Sequence, residues 1–371
     1  MRILIAGAGI AGLTLAALLC QRGRNVEIVD KAASFSDNNH PLVLTPLGSR
    51  VLHGFGILRR FRATSPGLDI LRVANGRGEI VGELDIRPLV GADEKCRIAD
   101  RYALLRLLSE LSQDSPIRFK TVIEEIGDEG DKVRVRLSDG SESRYDLVVG
   151  ADGTDSFVRA RMLSEVSRFD TGWGCWEFPT ESAESGRALE YWSSGRMLGL
   201  YSGPWHMNGI ACAPDRKLRG TQDRKVRMQR LFRMPGRNAR SAIDAFPDDA
   251  APLTYRKLAD CRANTWVKNR ICLVGDAACG FLPTSPLGAS LAMEEAAVLA
   301  DEIARAGSNT IPRALEFYEK RCRPRVEAAH DEVRKNAKAL FRGNPLLAMS
   351  YDASKRFADY RIIGKLMATP V

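Results

Sequence analysis

Gly7, Gly9 and Gly12 stand at the spacing of a turn that closes a peptide backbone around a pyrophosphate, with Asp30 about twenty residues further on. Each position has its own task. Gly7 permits the tight turn, Gly9 lets the main chain approach the phosphates, and Gly12 lets the following helix pack closely on the preceding strand. The free N–H groups and positive dipole end of that helix attract the same anion. The Asp30 carboxylate suits a ribose diol. A glycine pattern alone is weak evidence, but its surroundings here are complete. Arg2–Ala6 reads as a short buried strand, and Leu13, Leu15, Ala16, Leu18 and Leu19 form the apolar face of a helix. Gly23 reads as the C-terminal cap of that helix, and residues 25–30 as a second strand ending in the acid. The unit predicts dinucleotide binding without distinguishing NAD from FAD.

Later segments make that distinction. Asp146 to Arg159 contains a buried-strand pattern at Leu147, Val148 and Val149, followed by Asp152, Gly153, Ser156 and Arg159. Ile271 to Val274 repeats the pattern and runs into Gly275 and Asp276, with Pro283, Gly288 and Ser290 beyond. Arg101, Leu104 and Leu108 form a third, weaker signature. In this order and register, across nearly the whole chain, the motifs resemble the single-component aromatic hydroxylases (group A flavoprotein monooxygenases, the para-hydroxybenzoate hydroxylase-like family). The sequence departs from the family pattern at Cys279, Ser285 and Ser290, where a histidine, a glycine and an asparagine are usual. These departures bear on the pocket beside the flavin ring, because backbone groups do much of the cofactor binding.

The resemblance implies an α/β protein with a discontinuous Rossmann-type FAD domain (residues 1–66, 96–167 and 259–330). A mainly antiparallel β-sheet substrate domain (67–95 and 168–258) is inserted into it, and a C-terminal helical segment (331–371) follows. Candidate strands at residues 189–192, 197–201 and 208–211 agree with that layout. The implied FAD contacts are Gly7, Gly9, Ala11, Gly12, Asp30, Lys31, Arg101, Val122, Asp152, Asp276, Pro283, Gly288, Ala289 and Ser290. Within that set, Asp276 is expected at the ribityl chain or the neighbouring phosphate region and Asp152 near the flavin–nicotinamide route. The N–H groups of residues 288–290 are expected to support negative charge on the ring. The implied reaction uses NADH or NADPH and O2 to hydroxylate a small aromatic or heteroaromatic substrate through a flavin C4a-hydroperoxide. The cofactor carries that chemistry, so neither a catalytic triad nor a metal is called for. No acid–base pair is assignable, and the Pro283 carbonyl is the candidate group near the flavin edge.

Trp176, Trp192, Tyr201, His206 and Cys279 are the candidate substrate contacts, each also readable as an ordinary core or turn residue. Two other enzyme readings share the motifs: an FAD-dependent dehydrogenase or reductase without oxygen transfer, and a flavin-dependent halogenase. Residues 172–179 loosely resemble a halogenase signature, with one extra residue between Trp173 and Trp176. A non-enzymatic flavin-binding protein is a third class.

A chain of 371 residues with 44% hydrophobic and 27% charged side chains suits two closely packed domains with a sizeable core. The apolar N-terminus is read as the first strand and helix rather than a secretory leader, because it contains the glycine turn and no small-residue cleavage site. No stretch approaches the ~20 apolar residues that span a bilayer. Eight cysteines without Cys-x-x-Cys or metal-ligand spacing read as reduced thiols, and hence as a cytoplasmic protein with no metal. The net charge of +9 favours anionic ligands. Its densest stretch, residues 216–240, lacks a nucleic-acid module and reads as a solvated helix face burying Val226, Leu231 and Phe232. Oligomeric state is not legible.

Overall fold

The computed structural model describes residues 1–35, 41–91, 94–113, 115–162, 165–180, 186–203, 207–220, 222–233, 236–251, 253–341 and 353–369. Its first strand, Arg2–Ala6, is buried beyond Arg2 and lies between Asn25–Val29 and Leu147–Gly150, parallel to both. Ile271–Leu273 continues the parallel sheet on one side and Ile117–Arg118 on the other. Val267–Lys268 closes one edge in the antiparallel sense, giving six strands. A strand buried on both faces needs apolar residues at successive positions, which is why these segments read as continuous rather than alternating runs. Parallel register brings the ends of the central strands together: Ala6 pairs with Val29 and Gly150, and Gly150 with Leu273. Gly7, Asp30, Ala151 and Gly275 therefore leave the sheet at one edge, where open α/β sheets bind ligands.

The helix Ile10–Cys20 fills the space between this sheet and the helix Gly288–Ala304. Gly12 makes that approach feasible, since a Cβ there would sit 2.0 Å from the Gly7 carbonyl oxygen. Gly7 itself has φ +111°, a conformation that glycine adopts without steric cost. Gly23 turns left-handed (φ +67°) just beyond the helix, which ends at Cys20.

A seven-stranded sheet stands apart from the first. Its order is Thr254–Ala263, Val166–Thr180, Met207–Pro214, Arg196–Ser202, Arg187–Ser193, Ile70–Ala74 and Ile80–Asp85. All neighbours are antiparallel except Arg187–Ser193 with Ile70–Ala74. The three candidate strands of the sequence reading lie inside it. Side chains alternate between its faces. Trp173, Cys175, Met197, Tyr201 and Cys212 join the main core. Trp176, Phe178, Tyr191, Leu198 and Leu200 form a second core with the helices Asp215–Leu218, Arg224–Leu231 and Arg237–Asp244.

Those helices carry the basic stretch, and their buried stripe differs from the expected one. Met228 and Phe232 are buried, Leu231 is half-buried, and Val226 is 45% exposed. The stretch breaks into short helices, so no single helical period governs it. Three-stranded sheets of Glu142–Tyr145, Val133–Leu137 and Ile123–Asp128, and of Pro41–Leu44, Cys96–Asp100 and Gly67–Leu68, complete the β structure of the described residues. The long helix Ile311–Leu340 backs Gly288–Ala304, and the last helix, Ala353–Ala368, packs on Ile80–Asp85 and Arg87–Val90. No helix among the described residues is long and apolar enough to cross a membrane.

Candidate active site

A single cavity of about 1520 Å³ runs from the glycine turn to the seven-stranded sheet. Pockets for one drug-sized ligand are typically about 300–1000 Å³, so this one has room for a dinucleotide and a small ring together. Gly7, Gly9, Ala11, Asp30 and Lys31 line one end, with Arg101, Val122, Asp152 and Asp276. Pro283, Gly288 and Ala289 line it further along. Gly12 and Ser290 do not. Gly12 is hidden behind the turn, and the buried Ser290 hydroxyl accepts the Thr45 N–H at 2.9 Å, pinning one helix start to another.

The glycine turn is held by Asp30. One carboxylate oxygen accepts the Ala8 N–H and the other the Ala32 N–H, both at 2.7 Å. The turn is tight on its protein side and open on its cavity side. A Cβ on Gly7 would meet the Ala151 carbonyl oxygen at 2.3 Å, whereas one on Gly9 would meet nothing within 4 Å. That asymmetry is what close approach of a phosphate requires. Arg101 follows the helix cap Asp100, whose carboxylate accepts the Ala103 N–H at 2.7 Å. Its guanidinium lines the cavity and makes no hydrogen bond to another described residue. Burial lowers its pKa, and Arg256 adds to this, against Asp276, Asp30 and Glu177. An anion placed beside it would relieve that strain.

Asp276 opens onto the cavity at depth, and desolvation raises its carboxyl above the ordinary value, opposed by Arg256 and Arg101. Its exposure is to the cavity rather than to the outer surface. Asp152 uses one oxygen to cap the helix Phe157–Met162, accepting from Phe157 N at 2.7 Å and Val158 N at 3.2 Å. Its other oxygen is buried without a hydrogen-bond partner among the described residues. The open turn, the unpartnered cation and this orphaned oxygen together fit a polyhydroxylated, pyrophosphate-bearing cofactor such as FAD.

Of the candidate substrate contacts, the structure brings Tyr201 to the cavity. Trp176 lies on the opposite sheet face, its Nε1 donating to the Leu218 carbonyl at 3.3 Å and its ring 5.0 Å from Tyr255. Trp192 is buried against Phe341 and donates to Glu190 at 2.9 Å. Cys279 is buried beneath the Gly275–Gly280 bend, away from the cavity lining. His206 lies outside the described residues.

Several cavity residues escaped the sequence reading. Glu177 and Arg256 pair at 3.5 Å from adjacent strands, and burial raises the Glu177 carboxyl against the pull of Arg256 and Arg101. Arg356 and Tyr360 reach the cavity from the last helix. Beneath them Glu190, wholly buried, accepts from Arg356 Nε at 2.7 Å and Nη2 at 2.8 Å. A signal was present, since Glu177 and Glu190 interrupt otherwise apolar strands, and a buried glutamate implies a partner.

A model of the family described as FAD binding domain matches residues 1–333. The aurachin C monooxygenase/isomerase of Stigmatella aurantiaca is 29% identical over 345 residues, covering 90% of this chain and 87% of that protein. The 2-heptyl-3-hydroxy-4(1H)-quinolone synthase of Pseudomonas aeruginosa is 30% identical over 310 residues, with 81% and 80% covered. Among solved structures, Klebsiella pneumoniae HpxO complexed with FAD and uric acid superposes with a TM-score of 0.86 at 21% identity, covering 100% of this chain and 96% of that one. At that identity the superposition speaks for the fold. The relatives and the family match supply the rest: the chain belongs to the FAD-binding-domain family and is an FAD-dependent monooxygenase of the para-hydroxybenzoate hydroxylase-like class.

Proposed function

We propose that this monooxygenase hydroxylates an aromatic or heteroaromatic ring lying between the cavity face of the seven-stranded sheet and the cofactor. The single observation behind this reading is the continuity of the cavity. The space beside the glycine turn opens directly onto Met197, Tyr201 and Ile210 of the sheet and onto Phe281 and Leu282 of the opposite wall. On this reading residues 67–95 and 168–258 are the substrate domain, and the discontinuous remainder up to residue 330 binds FAD.

When bound, FAD supplies the redox chemistry, taking electrons from NADH or NADPH and using O2 to place one oxygen atom on the ring and the other in water. The chain's own residues bind, orient and exclude water. Gly7, Gly9 and the start of Ile10–Cys20 would hold the pyrophosphate, with Arg101 offsetting its charge. Asp30 keeps the turn in shape and would offer its remaining lone pairs to the ribose. Asp276 would accept from the ribityl hydroxyls. Gly288 and Ala289 line the cavity at the start of a helix of 17 residues, whose positive dipole end would stabilise negative charge there. Phe281, Leu282, Met197 and Ile210 make the apolar wall that keeps water from the reacting carbon. The Pro283 carbonyl would orient groups at the cofactor edge.

The test is the absorbance of the purified protein after FAD loading, followed through NADH or NADPH addition with a panel of hydroxylated heteroaromatic rings. Bleaching accelerated by one ring, with reoxidation in air and an oxygenated product, is the expected result. Reduction that never oxygenates any ring would refute it in favour of a dehydrogenase.

A further inference from the structure

The far end of the cavity, beyond the space for the cofactor, is walled by Met197, Tyr201 and Ile210 from the sheet, Leu282 opposite, and Arg356 and Tyr360 from the last helix. A guanidinium in a ring-binding pocket invites the reading that it receives a substrate carboxylate. The hydrogen bonds of Arg356 contradict this. Nε and Nη2 form a fork on Glu190, Nη2 also reaches the Thr284 carbonyl at 3.2 Å, and Nη1 donates to Asp359 at 3.1 Å. A guanidinium has five N–H donors, and four of these are occupied.

Glu190 is equally saturated. Besides Arg356 it accepts Trp192 Nε1 at 2.9 Å and the Tyr201 hydroxyl at 2.5 Å. Tyr201 lies on the strand next to Glu190, and its ring crosses Gly199, the residue directly opposite Glu190. A Cβ on Gly199 would stand 2.7 Å from that ring, so the glycine is what lets Tyr201 lie flat on the sheet and reach the carboxylate. Arg356 and Glu190 cancel in charge, and Asp359, held by Asn336 at 2.8 Å, adds a second carboxylate. Arg356, Glu190 and Asp359 are all at most 4% exposed. The cluster is neutral to negative, and a substrate carboxylate would have to be desolvated against it with no free fork to receive it. Of the other cations that line the cavity, Arg256 pairs with Glu177 and Arg101 stands near Asp276, whereas Arg161 and Lys257 are exposed to solvent.

Tyr360 completes the end. It lines the cavity, and its hydroxyl has no hydrogen bond to another described residue. It therefore offers a neutral donor or acceptor to a phenol, ring carbonyl or ring nitrogen. The last helix lies beyond the residues 1–333 matched by the family model.

We propose that the substrate is a hydroxy- or oxo-heteroaromatic ring without a carboxylate, addressed by Tyr360, and that Glu190 sets this preference as a positioning residue by occupying Arg356 and Tyr201. The inference rests on the ring-hydroxylation reading and narrows it.

The test uses the FAD-loaded full chain and two matched rings, 4-hydroxyquinoline and 4-hydroxyquinoline-2-carboxylate. Binding is titrated by perturbation of the flavin absorbance, without turnover. The wild type should bind the neutral ring at least about tenfold more tightly, a difference of the size one misplaced buried charge produces. Glu190→Gln keeps an acceptor for Tyr201 but unmasks the guanidinium. It should shift the preference toward the carboxylated ring by about tenfold or more, whereas loss of a merely structural contact would weaken both rings alike. Asp359→Asn, which spares the Arg356–Glu190 fork, should shift the preference the same way by a smaller factor. Tyr360→Phe should weaken the neutral ring severalfold. A wild type that prefers the carboxylated ring, or variants that change both rings in parallel, would overturn the proposal while leaving ring hydroxylation standing. Failure of every neutral and carboxylated ring in a wider panel to bind would overturn the hydroxylation reading and this inference together.

Discussion

Glu295 offers a test of how the cofactor end is held together. Its carboxylate oxygen accepts the Gly275 N–H at 2.8 Å, and its side chain is 2% exposed on the helix Gly288–Ala304. Burial pushes its carboxyl up to about 8, with Asp276 and Glu294 nearby adding to the rise and the Gly275 bond opposing it. The folded protein therefore keeps a proton that the unfolded chain releases near the ordinary value of 4.5. Below that value both states are protonated and the residue contributes nothing. Between 4.5 and about 8 the folded state binds more protons than the unfolded, so stability falls as pH rises; above about 8 the loss is constant. At about 1.4 kcal/mol per pH unit, the full window is worth on the order of 4–5 kcal/mol. Glu295→Gln keeps an oxygen for Gly275 and removes the titration. The variant and wild type should differ by less than about 1 kcal/mol at pH 5, and the variant should be more stable by about 3–5 kcal/mol at pH 8. Urea denaturation followed by tryptophan fluorescence at pH 5, 6.5 and 8 measures this. Parallel pH profiles for the two proteins would refute the buried, protonated carboxyl.

Three further outcomes follow from the same geometry. Gly12→Val brings a side chain into the space where even a Cβ lies 2.0 Å from the Gly7 oxygen, so the purified protein should carry no flavin absorbance and should not regain it on reconstitution. Asp30→Asn turns an amide toward one of the two N–H groups its carboxylate accepts, a loss of about 1.5–3 kcal/mol. FAD affinity, read by equilibrium dialysis, should fall about tenfold to a hundredfold. Trp176→Ala empties a site in the second core and should cost about 3–5 kcal/mol in denaturation. Because the cavity lies on the other sheet face, the folded variant should keep the wild-type affinity for ring ligands. A selective loss of ring binding would place Trp176 in the substrate site after all.

The glycine turn, its flanking strand and helix, and Asp30 were legible in the sequence because they fall within one strand–helix–strand unit: Asp30 reaches back to Ala8, and Gly12 is demanded by the Gly7 carbonyl five residues before it, while the crowding of Gly7 by Ala151 comes from the end of a strand far along the chain. The strands around Leu147 and Ile271 were legible for a related reason, since burial on both faces writes a continuous apolar run. The faces of the seven-stranded sheet were not. Alternation separates Trp176 from Glu177, but which one meets the cavity depends on where the helices of residues 215–244 dock and where the FAD-binding sheet lies. The basic helices show the same limit, as tertiary docking and the breaks between short helices chose Met228 and Phe232 over Val226 for burial. The last helix shows it most sharply. Arg356 reads as a surface residue in any sequence, and it is buried here because Glu190, 166 positions away, arrives from a sheet folded against it. Composition and period determine which elements form. The partner of a buried charge is a long-range fact, decided when sheets and helices from distant parts of the chain close around the same space.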